Sequence, residues 1–453
     1  MAENPAMNEL PIPQGPIDRV LAPVVRFMHI EAASGFVLLA ATLAALSLAN
    51  SPAAGHVKAF WQTPIGIEIG SFHLRHSLVS WINDALMVIF FFITGLEVKR
   101  ELVLGELRDM RRASLPIAAA LGGMIVPAGI FLALMWDEPG QHGWGIPMAT
   151  DIAFVVGAMA ILGSRVPYGL RIMLLSLAIA DDIGAILVIA VGYSGDIHWW
   201  WLVAGFAGIG VVIAMRELGV RNFLMYILVG VFIWLGFHES GIHATLVGVI
   251  LGMLTPVRSR LDQGLFEKYM NQARETLLAD WDEAPHRARQ IWTFRRAARE
   301  TVSPQEYLEN SLHPWVAFVI MPLFALANAG VPIRMADATS PIALAVMLGL
   351  VIGKPLGILV FSFLAVKTGL ARLPAGVNWG MIAGGGLLCG IGFTMALFIA
   401  GLAVDASLLP AAKIGVLGGS MLSAIAGMTL LLLITRPKEV VDEQSEPADA
   451  AIH

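Results

Sequence analysis

Two adjacent carboxylates, Asp181 and Asp182, stand in the middle of the apolar stretch 174–185, LLSLAIADDIGA. On a helix, neighbouring residues point about 100° apart. The pair can therefore line one cavity while facing different surroundings. Close carboxylates titrate as a coupled pair, and their oxygens are the ligands that hard cations take. Such a pair can hold a small monovalent cation or protons.

Three more ionisable residues share this apolar context: Asp84, Asp151 and Lys354. A charge in mid-membrane costs about 2.5–3.5 kcal/mol on insertion scales, so five of them cost on the order of 10 kcal/mol unless paired. Packing alone would be served better by apolar residues, which makes all five candidates for function. Around Asp151 the sequence 145–154 is GIPMATDIAF. Pro147 lacks a backbone donor, and Thr150 and Asp151 compete locally for backbone hydrogen bonds. A helix broken near Thr150 and Asp151 is predicted. The stretch 384–394, GGGLLCGIGFT, holds five glycines within nine residues, each weakening a helix by up to about 1 kcal/mol. Two interrupted spans in corresponding halves are characteristic of inverted-repeat transporters. Facing half-helix ends then need an anion at the positive N-termini and a cation at the negative C-termini. Asp151 and Lys354 suit those roles, and Lys354 also suits pairing with Asp181.

Further out, Asp84 follows Asn83. Glu97 and Glu101 lie four residues apart, which places them on one helix face, beside Lys99 and Arg100. With Glu309 they form a candidate acidic mouth. His243 begins another apolar stretch, and histidine changes charge near physiological pH.

These residues need long apolar elements to hold them. The 453-residue chain is 57% hydrophobic and only 14% charged, with a mean hydropathy of +0.74. Soluble domains carry about 25% charged residues. The composition excludes most cytosolic enzymes, disordered chains and nucleic-acid binders. The single cysteine, Cys389, excludes an intrachain disulfide and a cysteine-rich metal site. Twelve apolar stretches approach the length of a membrane span: 32–50, 79–98, 114–135, 147–163, 170–193, 199–215, 222–238, 240–256, 313–330, 341–366, 378–403 and 408–435. The predicted fold is an all-α polytopic membrane protein of about twelve spans, with spans four and eleven discontinuous. With both termini cytoplasmic, 24 of the 29 Lys and Arg fall inside, four outside, and Lys354 within a span. That is the asymmetry expected of cytoplasmic loops.

Other segments follow. Residues 1–31 form a cytoplasmic N-terminal segment without a cleaved-signal pattern, so insertion is expected to use the first span, with spans one to eight over 32–256. Alternation of Ile65, Ile67 and Ile69 with polar or small residues, then of Phe72 and Leu74, predicts a small external β-hairpin at about 64–76. A hairpin is marginal alone, so it is expected to pair with its copy in a second subunit. Residues 257–312 read as a charged cytoplasmic insert, with Phe266, Tyr269, Met270, Ala273, Leu277 and Leu278 at helical spacing. Spans nine to twelve then occupy 313–436. Residues 437–453 read as a disordered acidic tail.

Taken together, these residues resemble the NhaA family of Na⁺/H⁺ antiporters. The matching blocks are 91–102 FFITGLEVKREL, 149–154 ATDIAF, 162–167 LGSRVP, 177–185 LAIADDIGA, 241–248 GIHATLVG, 313–315 HPW, 328–331 NAGV, 353–357 GKPLG and 392–395 GFTM. The resemblance implies a dimeric, pH-regulated antiporter of the bacterial inner membrane. It would expel Na⁺ or Li⁺ electrogenically against inward protons, by alternating access and without a cofactor. It implies that Asp181 and Asp182 carry the cation and the protons, with Thr150, Asp151 and Lys354 at the crossing of the broken helices. Asp84 would be a funnel carboxylate, and Glu97, Glu309 and His243 the pH-response set. Two features depart from the family pattern: the long insert before Glu309, and Asn310 where a histidine is expected.

Two other functions fit parts of the pattern. A Na⁺-coupled organic-anion transporter would want several basic ligands in its cavity, and only Lys354 is basic there. An intramembrane aspartyl protease would bring Asp151 and Asp182 within about 3 Å to share a proton.

Overall fold

The computed structural model describes residues 33–69, 72–193, 195, 197–220, 222–258 and 300–435, with a few residues of 259–299. The N-terminal segment 1–31, the tail 437–453 and most of the 257–312 insert lie outside the described residues.

The chain is mostly helical. Helices α1 (Ala33–Ala49) and α2 (Ala54–Trp61) meet at a bend of 117°. Strands β1 (Pro64–Ile69) and β2 (Phe72–Ser77) pair antiparallel, with Ile65 opposite His76 and Gly66 opposite Arg75. Then come α3 (Leu78–Val103), α4 (Met110–Leu134), a 3₁₀ segment (Gln141–Met148), α5 (Ile152–Leu162) and α6 (Tyr168–Gly192). Helices α7 (Trp199–Glu217), α8 (Phe223–Glu239) and α9 (Leu246–Leu254) follow. The last group is α10 (Pro304–Asn328), α11 (Pro341–Lys367), α12 (Trp379–Cys389), α13 (Phe393–Ala403) and α14 (Leu409–Ile434).

By length and apolarity, eight of the described helical segments can cross a membrane, or ten if each bent pair is one span. Apolarity alone suggested twelve. The difference lies in α8, with 17 residues, and α9, with 9. Residues 240–245 are apolar enough to extend a stretch but are not helical, and nine helical residues rise only about 14 Å.

Helix α10 runs unbroken from Pro304 across 313, where the sequence reading ends a helical insert and begins span nine. Helix α10 starts at Pro304 because Ser303 caps it: its Oγ accepts from the Glu306 N–H at 3.1 Å. The run Ser303-Pro304-Gln305-Glu306 matches a capping box in its Ser and Glu spacing. An apolarity count overlooks a helix start of that kind. Lys413, one of the four Lys and Arg counted as outside, lies in α14 and is buried.

Among the described residues, three helices contain a π-helical turn: Ile82–Leu86 in α3, Val316–Ile320 in α10 and Gly349–Gly353 in α11. Such turns recur at functional sites. Here the first holds Asp84 and the third ends beside Lys354.

Helices α4 and α11 touch backbone to backbone. A Cβ on Gly122 would collide with the Gly357 carbonyl and come within 2.7 Å of Phe361 Cβ. Gly353 sits 2.8 Å, by the same measure, from Pro127 Cα. This approach seats Lys354 against the centre of the molecule. Gly122→Val is expected to lower stability by about 1–3 kcal/mol through overpacking. Thermal unfolding in detergent, compared with an exposed control such as Gly129→Ala, measures it. Unchanged melting would show that the two helices separate freely.

Candidate functional site

The two chain breaks lie against each other. Residues 149–151 connect the 3₁₀ segment to α5, and residues 390–392 connect α12 to α13 with a bend of 49°. The Asp151 N–H donates to the Ile391 carbonyl at 2.7 Å, and the Thr150 hydroxyl donates to the Cys389 carbonyl at 3.0 Å. Backbone groups freed by each break are thus satisfied by the other. Unpaired, a buried backbone group costs as much as a lost hydrogen bond.

Asp151 serves two helix N-termini at once. One oxygen accepts from the Phe154 N–H at 3.4 Å in the first turn of α5. The other accepts from the Thr394 N–H at 3.0 Å and from the Thr394 hydroxyl, at the start of α13. Both helix dipoles place positive charge there. Nearby, the Phe393 N–H donates to Ser420 Oγ at 3.1 Å.

Lys354 completes the arrangement with the opposite charge. Its ammonium donates to the carbonyl of Met148, at the end of the 3₁₀ segment, and to Asp181 Oδ2 at 2.5 Å. Lys354 is 0% exposed, Asp181 1% and Asp182 3%. Asp181 and Asp182 stand at the centre of the 25-residue helix α6. Thr150 also faces the Asp181 carboxylate. Asp182 has Asp181, Glu97 and Asp151 as acidic neighbours and Lys354 as its basic one.

Each carboxylate keeps one unsatisfied oxygen. Asp181 Oδ1 and Asp182 Oδ1 are buried without a hydrogen-bond partner among the described residues. Buried charges are normally paired or bound to a cation. A desolvated Na⁺ or a proton would satisfy these oxygens.

Apart from Glu97, which neighbours Asp182, the remaining candidates lie outside this centre. At the far end of α3, Arg100 forms an ion pair with Glu309 of α10. One turn earlier, the Gln305 amide donates to the Leu96 carbonyl at 2.6 Å, next to Glu97. Lys99 reaches a carbonyl instead of a carboxylate, donating to Thr255 O at 2.6 Å. Close by, a cavity of about 600 Å³ is lined by Glu101, Glu106, Asp109, Arg108 and Arg112, and by Ser176 of α6. At the hairpin end of α3, Asp84 occupies its π turn, and its carbonyl accepts from Trp234 Nε1 at 3.0 Å. His243 Nε2 donates to the Tyr193 carbonyl at 2.7 Å, while the Tyr193 hydroxyl accepts from the Gly145 N–H at 2.9 Å. His243 is thereby linked to the 3₁₀ half of the broken span.

The structure thus joins Thr150, Asp151, Asp181, Asp182 and Lys354 in one cluster. It sets Glu97 and Glu309 towards one end of α3, and Asp84 and His243 towards the other. Sequence reasoning missed Thr394 and Gln305 as partners. Thr394 lies in the 392–395 motif, and its place two residues after the last glycine of the run was the available signal. Gln305 gave no signal beyond the helix start.

Comparison with known proteins gives a consistent picture. The family model "Na+/H+ antiporter 1" matches residues 25–431. A Na⁺/H⁺ antiporter NhaA of Rhodopirellula baltica is 55% identical over 432 residues, covering 95% of this chain and 98% of its own. Na⁺/H⁺ antiporter NhaA 2 of Acidiphilium cryptum is 52% identical over 441 residues, 97% of each chain. The Rhizobium meliloti NhaA is 50% identical over 427 residues, covering 94% and 98% respectively.

Proposed function

The chain belongs to the Na⁺/H⁺ antiporter 1 family, and from that premise we propose that it exchanges Na⁺ or Li⁺ for protons at the Asp181–Asp182 pair. It is a Na⁺/H⁺ antiporter and a multi-pass membrane protein, hence a transporter and not an enzyme. The observation that carries the site assignment is the pair of buried carboxylate oxygens without partners.

The mechanism we infer is competition combined with alternating access. Na⁺ enters from the Glu97–Glu309 end, where acidic residues concentrate cations. It displaces protons from Asp181 and Asp182. The loaded centre then opens towards the hairpin end, releases Na⁺ and takes up protons. Thr150 and Asp151 hold the crossing so that the broken ends move as one unit. If two protons leave for each cation, one net charge moves per cycle. If the Lys354–Asp181 pair gives up one of those protons, the charge moved is the same.

Several finer features belong to the same proposal. Counting α8 and α9 with the bent pairs gives twelve crossings, with both termini cytoplasmic and the hairpin outside, in the bacterial inner membrane. Spans three to five and ten to twelve would be inverted repeats. The hairpin would pair with that of a second subunit, and Asp84, Glu97, Glu309 and His243 would set the pH response.

Inside-out vesicles test the exchange. Added Na⁺ or Li⁺ should dissipate an acid interior. The half-saturating Na⁺ concentration should rise about tenfold per pH unit of acidification for each proton displaced, by linkage. A Na⁺ affinity indifferent to pH would overturn the competition, and absence of any Na⁺ response would overturn the exchange itself.

A further inference from the structure

A second group of titratable side chains lies apart from the central site, where the hairpin meets the helices. The His76 ring, at the end of β2, stands edge-on to the His238 ring of α8, with centroids 5.0 Å apart. Trp234 stacks on His238 at 5.2 Å and on Trp81 at 6.1 Å. Trp81 Nε1 donates to the Ile65 carbonyl of β1 at 2.8 Å, and Trp234 Nε1 donates to the Asp84 carbonyl. The aromatic column thus fixes the hairpin, α3 and α8 around Asp84. His238, His76 and His243 are the basic side chains that face Asp84. Arg75 precedes His76, and Glu239 follows His238.

The three histidines differ in their bonding. His243 is committed to the Tyr193 carbonyl. Among the described residues, no hydrogen bond fixes a ring nitrogen of His76 or His238, and both side chains are half-buried. A resident metal does not account for them: no three His, Cys, Asp or Glu among the described residues converge closely enough to hold one. Half-buried imidazoles whose nitrogens no hydrogen bond fixes, in a cluster around a carboxylate, are suited to passing protons.

Proton supply is a physical problem for this exchange. At pH 8 free protons are at about 10 nM, so capture at a diffusion-limited 10⁹–10¹⁰ M⁻¹s⁻¹ delivers only about 10–100 per second. A group that accepts protons from buffer molecules removes that limit. We propose that His76 and His238 form a proton-collecting relay that loads Asp84 from the hairpin side. The relay takes protons from aqueous buffer and hands them to the carboxylate six residues inside α3. Asp84 lies about 9 Å along the helix from Leu78. The relay rests on the antiporter reading, since it serves the proton-uptake half of that cycle.

The test uses the full chain reconstituted in vesicles, with the variant His76→Gln/His238→Gln. Na⁺ exchange is followed at pH 8 in weakly buffered medium, and again after adding imidazole on the hairpin side. Exchange by the variant should be about tenfold slower than by the parent in weak buffer, as proton uptake falls back towards the free-proton limit of about 10–100 per second. Imidazole should restore it to near the parent rate. His76→Gln alone should show a smaller loss with the same rescue. A variant equal to the parent in weak buffer, or slow but unrescued by imidazole, overturns the relay. A parent without Na⁺-dependent exchange overturns instead the reading on which the relay rests.

Discussion

Asp182→Asn is expected to abolish Na⁺-dependent proton movement while leaving the protein in the membrane at its normal level. The substitution keeps the shape of the side chain and removes its charge. Asp182 Oδ1 lacks a hydrogen-bond partner among the described residues, so the change breaks no bond that holds α6 in place. What it removes is the attraction for a bound cation. A unit charge about 2.5 Å away is worth of order 5 kcal/mol even at an effective dielectric near 20, which is more than three decades of affinity. Exchange should therefore fall at least about a thousandfold at a given Na⁺ concentration. Inside-out vesicles carrying a pH dye read this directly, and thermal unfolding in detergent checks the fold. If the variant exchanges Na⁺ at the parent rate, the cation binds elsewhere. If it is unfolded, the loss is structural, and Asp182→Glu, which keeps the charge, then carries the test through restored Na⁺ binding.

How far the sequence discloses the site depends on how strongly lipid penalises each residue. Asp181, Asp182, Asp151 and Lys354 stand out because each lies within a long apolar stretch, and the structure places all four in one buried cluster. The breaks near Thr150 and in the glycine run were legible because proline and glycine act on the backbone locally. Partners supplied by neutral groups were harder to see. The Thr394 hydroxyl on Asp151 and the Gln305 amide on Leu96 are ordinary polar residues in sequence. Their importance comes from contacts between segments about 200 or more residues apart. The start of α10 was missed for a related reason. A capping serine sets a helix boundary, whereas hydropathy locates the lipid. The π turns carry no periodicity that a pattern of apolar residues could reveal, yet one contains Asp84 and another ends beside Lys354.

Lys354→Met is expected to cause the largest loss of stability, and a second substitution should repair it. The lysine answers two needs: it pairs with Asp181 and it satisfies the Met148 carbonyl at the end of the 3₁₀ segment. Removing one partner of a buried ion pair typically costs about 3–5 kcal/mol, because the other charge is left uncompensated. Most of that cost belongs to Asp181, which is 1% exposed. The double variant Lys354→Met/Asp181→Asn removes both charges and should regain most of the lost stability. The Met148 carbonyl stays unpaired, so a deficit of about 1–3 kcal/mol should persist. Melting in detergent of the parent, both single variants and the double variant gives the coupling directly. The same proteins report on charge movement. With Asp182 alone carrying the exchange, one proton balances one cation, so exchange by the double variant should ignore an imposed membrane potential. Equal melting of Lys354→Met and the parent would show that the pair does not support the fold. A double variant that still responds to potential would place the second transported charge outside the Lys354–Asp181 pair.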